Sequence, residues 1–550
     1  MDTDFDVAIV GYGPVGHVMA ALLGRTGRRV AVFDRQLALY PLPRIGHLDH
    51  EVMRIVQAVG AADRFEQDAF VCATYDWVNA VGDVLIHFDW SRPEVTGWHP
   101  HYLFYQPDLD EVLAAAVETQ PNVQVGRGWE ATAVTQDEAG LALDLVRRAS
   151  GETRRVTSQY LVAADGANSF VRRHAGIPWT DLGFQADWLV VDYRPHDPDA
   201  EIDIPVAAQL CDPNRPVSMF RRIGHKHCRW EFMLLPGETR DEIERPERIW
   251  ELLSRWVKPE DGTLVRHAVY TFRSGLAERW REGRVLLVGD AAHLMPPFLG
   301  QGMGSGFRDA INLAWKLDLV LAGRAAESLL DTYEAERKPH VRAIIEQAVE
   351  LGKVVCMGDP AQAAARDAAL LAGDVPPPPF PTLTEGVLHR GEDGALGYLA
   401  GELGPQGRVA WRGGRGRFDD VVGRGWFILT DDPALATRAG ADQDGSLARL
   451  GARVVRFAPP GAADDAVGDS DGAYRRYFDG HGLVGLVVRP DFHVFGAART
   501  PEELEALLAA LAGEPSLATA GAAHPGKHRH GASSSAMAPP SPALAHGCGS

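Results

Sequence analysis

Cysteine is scarce in this chain, and so is positive charge. Five cysteines stand among 550 residues, at Cys72, Cys211, Cys228, Cys356 and Cys548, with no CxxC pair and no ligand-type spacing. At this size that excludes a disulfide scaffold and a cysteine-bound zinc site. Lys and Arg number 55 against 74 Asp and Glu, a formal net charge of -19. Nucleic acid is bound mainly through Lys and Arg contacts to phosphate, so no such partner is expected. Any uncharged apolar run long enough to span a bilayer is also missing, and MDTDFDVAIV carries no basic leader segment. The expectations are therefore no membrane partner, no metal and a cytoplasmic location.

The chain does have enough apolar residues, 45% of the total, to fill more than one core, and 550 residues exceed what a single core holds. Phe5 to Val10 is apolar and β-branched, GYGPVG follows as a turn, and Val30 to Phe33 is a second buried strand. Between them Val15, Met19, Leu22 and Leu23 recur at helical spacing, which makes a right-handed strand-helix-strand unit. VQVGRGWEATAVTQ and LALDLVRR read as strands, and SQYLVAADGANS returns to the first sheet. Residues 180 to 275 carry short β-branched and aromatic runs between Pro, Gly and Asp turns, the pattern of an inserted mixed or antiparallel sheet. RVLLVGDAAH then goes back to a buried strand, and a helical stretch runs from about Gly304 to Gly352.

Three short motifs carry the chemistry. In Gly11-x-Gly13-x-x-Gly16 the glycines permit a tight turn, a close backbone approach to a pyrophosphate and close helix packing, around Pro14 and Val15. Asp34 ends the next strand, where a carboxylate accepts hydrogen bonds from a ribose diol. Arg35 beside it keeps open a second reading, a 2′-phosphate and hence NADP at this site. The second motif is Asp165-Gly166 in AADGANS. The third is Gly289-Asp290 in RVLLVGDAAH, followed by Pro296-Pro297 and the glycine-rich GQGMGSG that opens a long helix. A strand-end Asp can hold a polyol, and free amides at a helix start favour negative charge ahead of them.

Together GYGPVG, AADGANSFVRR and RVLLVGDAAHLMPPFLGQGMGSGFRDA resemble the group A flavoprotein aromatic hydroxylases across roughly residues 5 to 360. RIGHLDHEVMR, CDPNRP, RWEFMLLPGE and LLDTYEAERKPH are most similar to 3-(3-hydroxyphenyl)propionate and 3-hydroxycinnamate hydroxylases within them. The resemblance implies FAD as cofactor and NADH or NADPH as co-substrate. Gly11, Gly13, Gly16 and Asp34 would bind the ADP half, and Arg44 and Gln106 the pyrophosphate or ribityl region. Asp165 and Gly166 would serve FAD and NAD(P)H, Asp290 the ribityl, and the Gly302-Met303-Gly304 backbone the isoalloxazine, with Pro297 beside it. Two residues depart from the family pattern: Gly304 is often larger, which would loosen its loop, and Asp34 replaces the commoner Glu.

The fold so implied is α/β mixed with α+β. A Rossmann-like FAD domain would span 1–75, 100–180 and 276–360, with a mixed β-sheet substrate domain inserted at 76–99 and 181–275. A Pro-rich linker is expected at 361–385, a thioredoxin-like domain at 386–514 and a disordered tail at 515–550. The thioredoxin-like segment has no CxxC, which points to a packing or homodimer role rather than a redox one.

The reaction so implied adds O2 to reduced flavin as a C4a-hydroperoxide and hydroxylates a phenol ortho or para to its hydroxyl. The expected phenol is 3-(3-hydroxyphenyl)propionate or 3-hydroxycinnamate, the alternative an aromatic polyketide or antibiotic. An NADP-dependent reductase and a non-catalytic flavin-binding protein are the readings from other classes. His47, His50, His101 and Tyr102 flank the flavin segments and are candidates to take the phenol proton. Arg215, Arg221 and Arg222 are candidates to meet a substrate carboxylate.

Overall fold

The computed structural model describes residues 3–373, 379–440, 445–459 and 466–519. Its first sheet has five parallel strands at its centre, Val285–Leu287, Thr153–Ala163, Phe5–Val10, Val30–Asp34 and Val123–Arg127, in that order. Strands Phe5–Val10 and Val30–Asp34 are buried along nearly their whole length, as parallel strands covered on both faces must be. The helix between them, Pro14–Arg25, starts with proline, whose missing N–H costs nothing there, and buries Gly16 through Gly24. An antiparallel pair, Trp129–Asp137 and Gly140–Arg147, extends the edge of Thr153–Ala163.

The second sheet has eight strands and is mixed: only Thr74–Val78 and Ala207–Leu210 run parallel. Its long central strands, Trp179–Pro195 and Gly262–Ala277, pair antiparallel. His293–Leu294 joins its edge, so the segment after Gly289-Asp290 bridges the two sheets. A separate three-stranded sheet, His47–Asp49, His101–Leu103 and Phe70–Val71, sits in the same core cluster as the long helix Gly302–Leu321.

Toward the C-terminus, Arg453–Ala458, Phe427–Thr430, Gly485–Val488 and Val494–Ala498 lie in that order. The second is parallel to the first and antiparallel to the third, with helices Pro433–Ala439, Ala473–His481 and Pro501–Ala512 between or after them. That is the strand order of a thioredoxin fold. The spacer expected from residue 361 begins instead as helix Pro360–Leu371, anchored by buried Ala363 and Arg366; Arg366 donates to the Cys211 carbonyl at 2.7 Å. Residues 374–378 of the proline run lie outside the described residues, as do residues 520–550 of the tail expected from 515. The first residues of that tail are instead ordered, with a short turn at Pro515–Leu517, Leu517 buried and the Ala518 carbonyl accepting from Ala326 N–H at 2.8 Å. No described helix is long and apolar enough to cross a membrane.

Candidate active site

The three motifs meet at the carboxyl ends of the parallel strands, around a cavity of about 480 Å³. Gly11, Gly13, Pro14, Val15, Asp34, Arg35, Arg44, Gln106, Asp165, Gly166, Asp290 and Met303 all line it. Topology explains the meeting. In open α/β sheets ligands sit at the strand ends, and the first, second and third motifs each follow a neighbouring strand.

The glycines divide their work as the motif predicts. Gly11 has φ +106°, and a Cβ there would stand 2.2 Å from the Ala164 carbonyl oxygen, directly beside Asp165. A Cβ on Gly16 would stand 2.2 Å from the Gly11 carbonyl oxygen. Gly13 has nothing within 4 Å of its Cβ position, which leaves its backbone bare beside the cavity. Asp34 is held at its strand end by two backbone amides, Tyr12 N–H and Gln36 N–H, each donating at 2.7 Å. Arg35 is exposed at the rim.

Gln106 orients rather than merely lines. Its amide oxygen accepts from Arg44 N–H and Ile45 N–H, at 2.8 and 3.1 Å, so it shapes the turn that presents Arg44. One helical turn on, Asp110 receives the Gln106 amide at 3.3 Å, and burial pushes its carboxyl up to about 7. Its other oxygen, and Asp165 Oδ1, are buried beside the cavity without a protein partner. Unsatisfied buried acceptors are rare and fit a ligand that brings hydroxyl donors. Asp110 is a site residue that no sequence motif marks; its signal is its place four residues after Gln106 in helix Gln106–Glu118.

Helix Gly302–Leu321 opens with no side-chain cap, so the amides of Gly302, Met303 and Gly304 keep their positive end free. Gly302 and Gly304 do not line the cavity, and Gly304 is not a point of looseness. Its missing Cβ leaves room for the Arg308 guanidinium, which would lie 3.0 Å from a Cβ there. Arg308 is buried; it donates to Asp49 Oδ2 at 2.7 Å, to Gln301 Oε1 at 2.7 Å, and to Glu51. Asp49 in turn caps helix His50–Ala58 through Val52 N–H at 3.0 Å, and Arg308 holds its carboxyl well below the usual range against its burial. A second buried cluster lies one residue on. Asp309 accepts from Gly289 N–H at 3.0 Å, bonds His293 Nε2 at 2.7 Å and pairs with Arg337 at 2.9 Å. Gly289 itself has φ +59° and abuts Val15. Adjacent charges inside an otherwise apolar helix face, Arg308-Asp309, were the available signal for both clusters.

The four candidates for a proton acceptor separate cleanly. His47 Nε2 and His101 Nδ1 are 2.7 Å apart, and His47 Nδ1 is 3.4 Å from the Gly300 carbonyl, in the loop before helix Gly302–Leu321. Burial lowers both histidine pKa values, and each also feels the opposing charge of Asp49. Trp90 covers His101, ring centroids 3.7 Å apart. His50 is turned to Thr96 instead. Tyr102 is a core residue: alternation sends it to the opposite face from His101, its hydroxyl accepts from His99 N–H at 3.1 Å, and burial pushes it up to about 12. Pro297 does not line the cavity; it starts the short turn whose Phe298 reaches the second sheet.

Residues 4–348 match the family model described as the FAD binding domain, and residues 401–514 match the HcaD C-terminal domain. The chain belongs to the FAD-dependent aromatic hydroxylases. It is 40% identical over 521 residues to a probable NADH-specific resorcinol 4-hydroxylase of Rhodococcus jostii, covering 93% of this chain and 96% of that one. It is 35% identical to a 3-(3-hydroxy-phenyl)propionate/3-hydroxycinnamic acid hydroxylase of Mycolicibacterium gilvum, covering 92% of each. Among solved structures, the flavin-dependent monooxygenase PieE superposes with TM-score 0.75 at 22% identity, covering 94% of this chain and all of that one. Aklavinone-11 hydroxylase follows at 0.74 and 24%, covering 93% and 99%. These structures share the fold across 93–94% of this chain. The hydroxylase therefore binds FAD, and the bare glycine turn, the orphaned acceptors and the uncapped helix start fit that group.

Proposed function

We propose that this hydroxylase uses NADH and O2 to add one hydroxyl to a small phenol, ortho or para to a hydroxyl already present. The observation that carries the reading is that the turn leading into helix Gly302–Leu321 packs on an aromatic wall of the second sheet. Phe298, in the turn before the helix, lies 5.8 Å from Trp188 and 5.7 Å from Phe184 between ring centroids. Tyr75 stacks on Trp90 at 5.3 Å and on Phe88 at 5.9 Å, and Trp90 leads to His101.

Bound FAD would relay the reducing equivalents of NADH to O2 and activate it, which is the cofactor's own chemistry. The chain's part is to hold, orient and shield. Gly11, Gly13 and Gly16 admit the pyrophosphate, Asp34 the ribose and Asp290 the ribityl chain, and the amides of Gly302, Met303 and Gly304 favour negative charge on the ring. Arg35, at the rim, is left for solvent or for the adenosine phosphate. The aromatic wall excludes water, and His101, neutral because burial lowers its pKa, takes the phenol proton and shares it with His47. His101 Nε2 has no hydrogen-bond partner among the described residues, which leaves it free for that contact.

The relatives' names supply the two phenols to try first, resorcinol and 3-(3-hydroxyphenyl)propionate. The test is NADH oxidation, O2 uptake and product analysis with both, in wild type and His101→Gln. Wild type should release a hydroxylated product. The variant should slow most near neutral pH and recover at a pH where the phenol ionises unaided. Flavin reduction with no hydroxylated product from any phenol would refute the reading.

A further inference from the structure

Strand alternation shows which side of the second sheet looks toward the flavin. Leu189, Val191, Cys228, Trp230 and Phe232 pack with Ile249 in an outer core. Trp188, Val190, Asp192, Arg229, Glu231 and Met233 therefore point inward. Two contacts bear this out: Trp188 meets Phe298, and Arg229 Nη1 donates to the Arg44 carbonyl at 3.2 Å.

Arg229 is spoken for. It donates to both oxygens of buried Asp192, at 2.7 and 3.1 Å. Glu231, two residues on, has no such partner. Its side chain is 14% exposed, its nearest cation is Arg229 Nη1 at 3.8 Å, and it makes no hydrogen bond to any described side chain. Its cross-strand neighbours are Val190 and Ser218, and the Ser218 hydroxyl is already given to Gln209 Oε1 at 2.6 Å. Burial raises the pKa of Tyr75, in the aromatic wall, and the nearby charge of Glu231 adds to it; burial also raises the pKa of Glu231, against the pull of Arg229. A carboxylate at the centre of an aromatic-walled face, with its hydrogen bonds unmade, is an acceptor waiting for a donor.

The arginines expected to greet a substrate carboxylate are elsewhere. Arg215 is locked to Glu238 at 2.6 and 2.8 Å and to the Met233 carbonyl at 2.7 Å. Arg222 turns out to the Pro198 carbonyl at 2.9 Å. The Arg221 carbonyl accepts from the thiol of Cys228, a member of the outer core, at 3.0 Å.

We propose that Glu231 accepts a hydrogen bond from a second hydroxyl of the substrate, so that the site selects uncharged dihydric phenols and repels phenols bearing a carboxylate. This rests on the phenol hydroxylase reading and names the substrate class for it. A hydrogen bond to a charged group, lost from a desolvated site, costs about ten- to a hundredfold in kcat/KM. The experiment measures kcat/KM for resorcinol and for 3-(3-hydroxyphenyl)propionate, with product analysis and flavin content, in wild type, Glu231→Gln and Glu231→Asp. Wild type should favour resorcinol. Glu231→Gln should lose about tenfold or more on resorcinol and gain on the carboxylated phenol, with flavin content unchanged. Glu231→Asp, which keeps the charge but withdraws it by one methylene, should lose on resorcinol without that gain. Unchanged resorcinol kinetics in Glu231→Gln, or a wild-type preference for the carboxylated phenol, would overturn the assignment. Hydroxylation of neither phenol by flavin-loaded wild type would instead overturn the reading on which it rests.

Discussion

Replacing Asp491 with Ala should cost the protein more than almost any other single change outside the cofactor site. Asp491 belongs to the thioredoxin-like domain, yet it is buried against helix Gly302–Leu321. With Arg489, Lys316 and Glu336 it forms a four-charge cluster whose side chains all have 0% exposure. Two positive and two negative groups balance. Asp491 accepts from Arg489 at 2.7 and 3.0 Å, from Asn312 Nδ2 at 2.9 Å and from Trp315 Nε1 at 3.2 Å. Its removal strands an uncompensated positive charge and two neutral donors in a site that excludes water. Breaking a buried pair on one side typically costs about 3–5 kcal/mol, or about two to nearly four powers of ten in the unfolding equilibrium. The assay is urea unfolding followed by tryptophan emission and flavin release, with exposed Asp479→Ala as the inert control. The double variant Arg489→Met/Asp491→Leu leaves Lys316 and Glu336 balanced and should recover much of the loss. A single variant within about 1 kcal/mol of wild type, or a double variant no better than the single, would refute the charge-balance argument.

Two further outcomes follow from the same geometry. Gly11→Ala should abolish FAD retention, because its φ of +106° and the Ala164 carbonyl at 2.2 Å admit no Cβ; a yellow, fully loaded variant would contradict the close packing of the first two motifs. Asp49 has a folded pKa depressed below its ordinary 3.8, so its pairing with Arg308 stabilises fully above that value and is lost as pH falls through the folded value. Unfolding midpoints should therefore fall below about pH 4, and Arg308→Met should flatten that acid limb; equal limbs in both proteins would count against the pairing.

Much of the fold was legible in local patterns because those patterns answer to local physics. The strand-helix-strand opening, the glycine motif and the strand-end acids each need only neighbouring residues to be specified, and all were where periodicity and turn chemistry placed them. The spacer was read less well: proline signals an extended segment, but Pro360 stands at a helix start, where proline is equally at home. Tyr102 and His101 are adjacent in sequence, and only the pairing of His101–Leu103 with His47–Asp49 decides which of them faces the flavin loop.

The cofactor and the class of chemistry were legible in sequence because three motifs in order carry the resemblance to a flavoprotein family, and each needs only neighbouring residues to be specified. Tertiary structure decided what those motifs work on. Glu231 is one acid among 74 Asp and Glu, and Arg215 one of 55 basic residues, until strand alternation and ion pairing leave the first without a hydrogen bond to any described side chain, with only Arg229 near it at 3.8 Å, and lock the second away. Charge partners and burial are set by residues far apart in the chain. They come into contact only when the sheets pack, so no window of sequence records them.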